Sequence, residues 1–346
     1  MASFDFACPF SILPSFMNLF QDSAGTMTIQ DAQAPEYHAA MSDQPPAATT
    51  PSLLSQTAER VPPHVWFGVS AVFHYLGPSF AVLLFPAVGV LGVAWFRIAS
   101  AALIFAPITK PWRIFARASR RERVLLLSLG ACLAAMNAAF YLALERLPIA
   151  LVAAIEFVGT IGVALWGLRT GRNWLAFALT MIGVALLIDV PWLLGIGSGA
   201  AWSSDPLGLM WATLNGGLFV LYIILGHKIA QAGASGGVER LGAAMSAAFF
   251  FVIPIGLLDA IDAFDKPILV LAGVGVGICS SVIPYVCDQL AMSRLPRSSF
   301  ALLLALLPAT ATIIGVIVLR QMPGLVDLAG VALVMLGVAI HRQSKI

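Results

Sequence analysis

Two polar groups stand where hydrocarbon is expected. Asn137 and Glu156 lie in apolar stretches on either side of the short segment Glu145–Pro148, eight residues before Glu145 and eight after Pro148. At ~1.5 Å rise per residue, two helices joined by that segment bring an amide and a carboxyl to one depth, roughly 12 Å in. Inserting an ionisable side chain into a bilayer costs on the order of 3 kcal/mol, so such a residue reads first as functional. The bland alternative is a neutral glutamic acid that bonds a neighbouring helix. His74, Arg97 and Asn215 fall near the middles of other apolar stretches, and Tyr141, Tyr222, Tyr285 and Gln289 nearer the ends of theirs. An arginine fork matches a carboxylate with two parallel hydrogen bonds, and a carboxylate accepts from an ammonium. Arg97 and Glu156 together would therefore suit a zwitterion. Glu156, His74 and Asp288 can also take up and release protons, histidine most readily near neutrality. Against this stands a packing role: Arg97 paired with Glu156 or with backbone carbonyls, and His74 bonded to a neighbouring helix.

The elements that must position these groups are membrane spans. The chain is 60% hydrophobic and 10% charged, against roughly 25% charged in ordinary globular proteins. Apolar runs near the ~20 residues a bilayer requires occur at about 65–84, 89–107, 124–144, 149–168, 174–193, 206–227, 239–258, 268–291, 298–319 and 324–341. The expected fold class is an all-α integral membrane protein with ten transmembrane helices. Connections are short, which leaves no room for a soluble catalytic domain. Residues 1–60 carry no Lys or Arg before Arg60 and are expected to form a disordered tail. Its apolar opening lacks a positive n-region and is broken by Pro9 and Pro14, so it does not read as a signal peptide. Met17, Met27 and Met41 leave the natural start open.

Orientation follows from Lys and Arg outside the spans. Six basic residues lie between Lys110 and Arg123; with Arg60, Arg169, Arg172, Lys228, Arg240, Arg294, Arg297, Arg342 and Lys345 one side holds fifteen. The other side holds three, Arg146, Lys266 and Arg320. Both termini are thus expected in the cytoplasm and the Glu145–Pro148 hairpin outside. A repeat is also visible: ALERLP at 143–148 returns as AMSRLP at 291–296, IGV at 161–163 at 314–316, and GVA at 183–185 at 337–339. Two five-helix halves, 65–193 and 206–341, are expected. Five being odd, the second half enters the membrane inverted. Inverted repeats with polar or broken helices are the pattern of secondary transporters, whose sites lie near the midplane between the halves. Pro254, Pro284 and Pro308 fall within spans seven, eight and nine, and Gly273, Gly275 and Gly277 form a small-residue packing face.

In LFPAVGVLGVAWFRIAS (84–100), KPWR (110–113), MNAAFYLALERLPIALVAAIEFVGT (136–160), DPLGLMWATLNGGLFVLYIILGHKIA (205–230) and SSVIPYVCDQLAMSRLP (280–296) the chain resembles the drug/metabolite transporter superfamily. Within it, the likeness is to the ten-helix EamA type, nearest the bacterial threonine/homoserine exporters. Some family features are replaced: a Gly-Glu pair by Arg320-Gln321, a lysine in the first span by Val82, a carboxylate before Pro308 by Leu307, and a glutamate after Pro-Tyr by Asp288. The resemblance implies proton-coupled export of amino acids or similar small metabolites across a bacterial inner membrane. Candidate substrate-binding residues are Glu156, Asn137, Arg97, Tyr285, Asn215, Tyr141 and Tyr222; candidate proton-coupling residues are Glu156, His74 and Asp288. A rival cargo is a lipophilic cation, which a membrane glutamate near Trp66, Phe73 and Trp211 would suit. A membrane-embedded enzyme is a third reading, but no H-E-x-x-H and no aspartate-rich motif is present. No G-x-x-x-x-G-K-[ST] occurs, so ATP is not the direct energy source. Cys8, Cys132, Cys279 and Cys287 show no metal or disulfide spacing. Neither a cofactor nor a nucleic-acid partner is expected; a homodimer stays open.

Overall fold

The computed structural model describes residues 61–167, 169–188, 205–232, 237–292, 294–295 and 303–341. The predicted tail 1–60, Asp189 and the end of the fifth predicted span, the start of the ninth, the Gln289 side chain, Arg297, Arg342 and Lys345 lie outside the described residues. Among the described residues all regular structure is helical. In chain order it comprises α1 (Pro63–Val88), α2 (Val90–Thr109), α3 (Pro111–Arg117), α4 (Arg120–Leu144), α5 (Ile149–Gly167), α6 (Gly171–Leu187) and α7 (Pro206–Ala232). Next come α8 (Gly237–Ile261), α9 (Pro267–Gly277), a π turn (Ile278–Val282), α10 (Ile283–Met292), α11 (Leu307–Leu319) and α12 (Leu325–Ile340).

Six stretches are long and apolar enough to cross a membrane: α1, α2, α4, most of α7, most of α8, and the run Pro267–Asp288 through the π turn. Four shorter apolar helices, Ile149–Val163, Gly171–Leu187, Leu307–Leu319 and Leu325–Ile340, fall where the fourth, fifth, ninth and tenth spans are expected. Local chemistry sets several ends. Ser119 accepts from the Glu122 amide to cap α4 at 3.2 Å, and Thr170 accepts from the Asn173 amide to cap α6 at 3.3 Å. Asp327 is 2% exposed and accepts from the Gly324 amide at the start of α12. One helix was not foreseen. The basic segment after the second span contains α3, entered through Lys110 in a left-handed turn at φ 48°. Pro308 stands in the first turn of α11, directly after a turn at residues 305–306. Two further prolines, Pro78 and Pro86, lie inside α1.

Several of the larger helix contacts recur in matching pairs between the two expected halves. Helix α1 packs on α10 as α4 packs on α7, and α11 on α1 as α7 on α5. Three pairs map onto themselves: α2 with α8, α6 with α12, and α5 with α11. Close approach is possible where glycines meet. A Cβ on Gly183 of α6 would lie 2.6 Å from the Gly330 carbonyl of α12. Gly273 and Gly277 face α2 in the same way, while Gly275 faces open space. The largest buried cluster runs along the first turns of α5, where Ile149, Leu151 and Val152 are wholly enclosed with Tyr141, Leu187 and Val334.

Candidate functional site

A cavity of about 380 Å³ opens among α1, α2, α4, α5, α7 and α10. Seven of the expected polar residues line it together with His74 of α1: Arg97 of α2, Asn137 of α4, Glu156 of α5, Asn215 and Tyr222 of α7, and Tyr285 and Asp288 of α10. Sequence distance between them reaches 214 residues, so only packing of the two halves assembles the set. Tyr141 does not line the cavity; it is fully buried behind Arg97, with its ring centroid 5.5 Å from the guanidinium carbon. Trp66, Phe73 and Trp211 do not line it either, and its aromatic wall is Phe67, Phe140, Phe157, Phe219 and the two tyrosines besides Tyr75.

Arg97 is held by a defect in the facing helix. At the π turn the Ile283 amide reaches back five residues to the Ile278 carbonyl. Pro284 has no amide hydrogen, so the Ser280 carbonyl, four residues earlier, lacks its α-helical donor. Arg97 supplies one: Nη2 donates to the Ser280 carbonyl at 3.3 Å, and Nε donates to Ser281 Oγ at 3.1 Å. Its guanidinium also faces the Phe140 ring at 5.7 Å, a cation–π contact. Single-turn π segments recur at functional sites because they re-aim side chains and free backbone groups. The Pro284 carbonyl accepts from Ser70 Oγ of α1 at 3.2 Å.

Glu156 is placed differently. Its Oε1 accepts from Asn215 Nδ2 at 2.6 Å, a bond between α5 and α7 across the two halves. Asn215 is fully buried, and its Oδ1 has no partner. An amide has both a donor and an acceptor end. It can donate to a carboxylate, or turn over and accept from a carboxylic acid, so Asn215 is a partner for either protonation state of Glu156. Among the described residues Arg97 and Glu156 form no ion pair with each other; Arg146, by contrast, pairs with Glu145 and Asp205. Asn137, by contrast, turns its Nδ2 back to its own helix, donating to the Leu133 carbonyl at 2.8 Å, while its Oδ1 end remains available. His74 stands edge-on to Tyr75 at 5.3 Å, and Tyr285 edge-on to Phe105 at 5.4 Å. No group of three His, Cys, Asp or Glu is arranged for a metal among the described residues.

Sequence reasoning did not find Ser280 and Ser281. The signal was available: a serine four residues before a proline inside an apolar run marks a freed carbonyl with a hydroxyl beside it. Phe67, Phe140, Phe157 and Phe219 offered no such signal, since any of them could have faced lipid.

Outside the membrane helices, the Glu145–Pro148 hairpin is tied to the start of α7. Arg146 Nη1 donates to Asp205 Oδ2 at 2.8 Å, and Asp205 Oδ1 accepts from the Leu207 amide at 2.9 Å. The Arg146 bond holds the Asp205 carboxyl below its ordinary range, and that carboxylate raises Arg146 in turn.

Comparison with known proteins places this architecture. The EamA-like transporter family matches residues 206–342. The chain is 32% identical over 245 residues to the threonine/homoserine exporter RhtA of Escherichia coli K12, spanning 71% of this chain and 79% of that protein. It is 32% identical over 246 residues, with the same coverage, to RhtA of Salmonella typhimurium LT2. A crystal structure 19% identical in sequence aligns with a TM-score of 0.49 over 79% of this chain and 94% of its own; that likeness is too distant to bear on the site. Apolar helices that can cross a bilayer, an enclosed polar cavity and these relatives agree: the chain is a multi-pass membrane protein that belongs to the EamA-like transporter family.

Proposed function

We propose that this protein exports amino acids or similar small zwitterionic metabolites across a bacterial inner membrane by proton antiport, with both termini cytoplasmic. The observation that carries this reading is the separation of the two membrane charges. Arg97 and Glu156 face one cavity from α2 and α5 and are each held by neutral partners instead of by each other. A cation and an acid that line one cavity without pairing with each other match the carboxylate and ammonium of an amino acid. The names of the relatives, threonine/homoserine exporters, support the same class of cargo.

Exchange is carried by Glu156. With the cavity open outward, Glu156 takes a proton and the turned-over Asn215 amide accepts from it. With the cavity open inward, arriving ammonium displaces that proton, and Asn215 donates to the carboxylate. The Arg97 fork, aimed by Ser280 and Ser281, receives the cargo carboxylate. His74 and Asp288, also on the wall, are the candidates that relay the proton. Transport by Glu156→Gln in everted vesicles is the direct test: proton-driven uptake of cargo is lost, while exchange of cargo for cargo survives. Undiminished proton-driven uptake by the variant removes Glu156 from the mechanism.

A lipophilic cation is the second reading, favoured by the six phenylalanine and tyrosine rings of the wall from α1, α4, α5 and α7. Resistance profiling separates the two. Cells overproducing the protein resist amino-acid analogues under the first reading and cationic dyes under the second.

A further inference from the structure

A second cavity, of about 480 Å³, opens on the flank of the helix bundle between α2, α3, α4 and α8. It shares no residue with the cavity just described. Its wall is apolar, formed by residues such as Leu103, Ala106, Trp112, Phe115, Leu127 and Phe250. An apolar groove on a membrane protein says little alone. The charge at the mouth of this one sets it apart.

Helix α3 closes one end of the groove with Pro111, Trp112 and Phe115, and leaves Arg113 and Arg117 exposed on its surface. Lys110 stands at the turn before it, and Arg120 and Arg121 open α4 immediately after. Of the six basic residues in this segment only Arg123 is used internally, donating through Nε to the Ala118 carbonyl at 2.9 Å. The other five make no side-chain hydrogen bond or ion pair among the described residues. Arg120 and Arg121 moreover occupy the first turn of α4, where the helix dipole disfavours cations. Five unneutralised charges, two of them against a dipole, call for an external anion. The anion must adjoin hydrocarbon, because the groove beside it is apolar. Trp112, 59% exposed, is the residue type that settles at the level where the two meet.

We propose that this groove seats an acyl chain of one anionic phospholipid, whose phosphate headgroup rests on Lys110, Arg113, Arg117 and the start of α4. Basic clusters directly following a span are the pattern that recognises acidic headgroups. A free phosphate would leave the groove unfilled, and a zwitterionic lipid would leave the five charges without net neutralisation.

The test uses the purified full chain in detergent and counts retained lipid by native mass spectrometry. Phosphatidylglycerol is expected to be held in preference to phosphatidylcholine of the same chain lengths. Arg113→Gln/Arg117→Gln/Arg121→Gln should weaken phosphatidylglycerol by about fivefold per charge, the equivalent of ~1 kcal/mol each, and leave phosphatidylcholine unchanged. Leu103→Trp, at a position 66% exposed and so safe for folding, should fill the groove and reduce both lipids. Excess glycerol 3-phosphate should displace neither. Equal retention of the two lipids by the unaltered chain, or preference surviving in the triple variant, overturns the proposal. Displacement by glycerol 3-phosphate, or phosphatidylglycerol retention unaffected by Leu103→Trp, overturns it as well and leaves a site for phosphate alone.

Discussion

Arg97, Glu156 and Asn215 show how little each polar side chain determines alone. An arginine in a membrane can neutralise a carboxylate, satisfy stray carbonyls or bind an anion; here it is aimed by Ser280 and Ser281 and keeps its remaining donors for another partner. A hydrogen bond to a charged group contributes about 1.5–3 kcal/mol net. Ser281→Ala should therefore raise the KM for cargo by roughly 10-fold to 100-fold with kcat little changed, as measured in proteoliposomes. Arg320 is a residue of another kind. It ends α11 in a left-handed conformation at φ 55°, where the family resemblance places glycine. A non-glycine residue there carries ~1–2 kcal/mol of strain, partly offset because glycine loses more chain entropy. Arg320→Gly is expected to stabilise the protein by about 0.5–1 kcal/mol, read as a raised Tm in detergent. Its neighbour Gln321 accepts from the Ile149 amide at 3.2 Å and so caps α5, which gives the departure from Gly-Glu a local purpose.

At the level of elements, the run from Pro267 to Met292 is the one whose irregularity matters. Pro284 and the π turn before it together free the Ser280 carbonyl. Pro284→Ala restores an amide hydrogen to that position, so Ser280 regains a helical donor and Arg97 loses a partner. The expected result is a higher KM with thermal stability equal or improved, since proline inside a helix costs ~3 kcal/mol. A fall in stability without change in KM would count against the coupling between π turn and Arg97. Helices α6 and α12 illustrate the opposite design, in which contact depends on missing side chains. A Cβ at Gly183 would meet the Gly330 carbonyl and Val334, each within 3.0 Å. Gly183→Val should cost about 1–3 kcal/mol through overpacking, visible as a lowered Tm and lower yield.

Across the whole molecule, several packing pairs respect an exchange of halves while the site does not. Glu156 lies in the first half and Asn215 in the second, and the pair has no mirrored copy in the cavity wall. Under the proposed antiport, such asymmetry would let Glu156 serve both inward and outward states. The Arg146–Asp205 bond joins the halves on the hairpin side, and its pH dependence has a definite sign. Asp205 is depressed below its ordinary value of 3.8. Its contribution is therefore complete above that value and is lost as pH falls through the depressed one. Hydrogen exchange of the hairpin, corrected for intrinsic rates, should stay constant between about pH 7 and about pH 5. Asp205→Asn, measured at neutral pH, should loosen the hairpin, and so should high salt, which screens exposed pairs.

Much of this protein was legible in the order of its residues. Apolar runs of bilayer length, the repeat from ALERLP to AMSRLP, and ionisable groups inside those runs follow from local rules: hydrocarbon excludes charge and demands helices. Those rules act residue by residue, so a string of letters carries them. That all eight polar candidates apart from Tyr141 line one cavity was not legible in that way, nor was Tyr141 lying behind it, because which face of a helix turns inward depends on neighbours up to two hundred residues away. The same holds for the detail that matters most to Asn137 and Glu156. Glu156 met an amide from the other half, Asn215, while Asn137 turned back on its own helix. Hydropathy gives the depth of a side chain in the membrane; only the packed helices decide its partner.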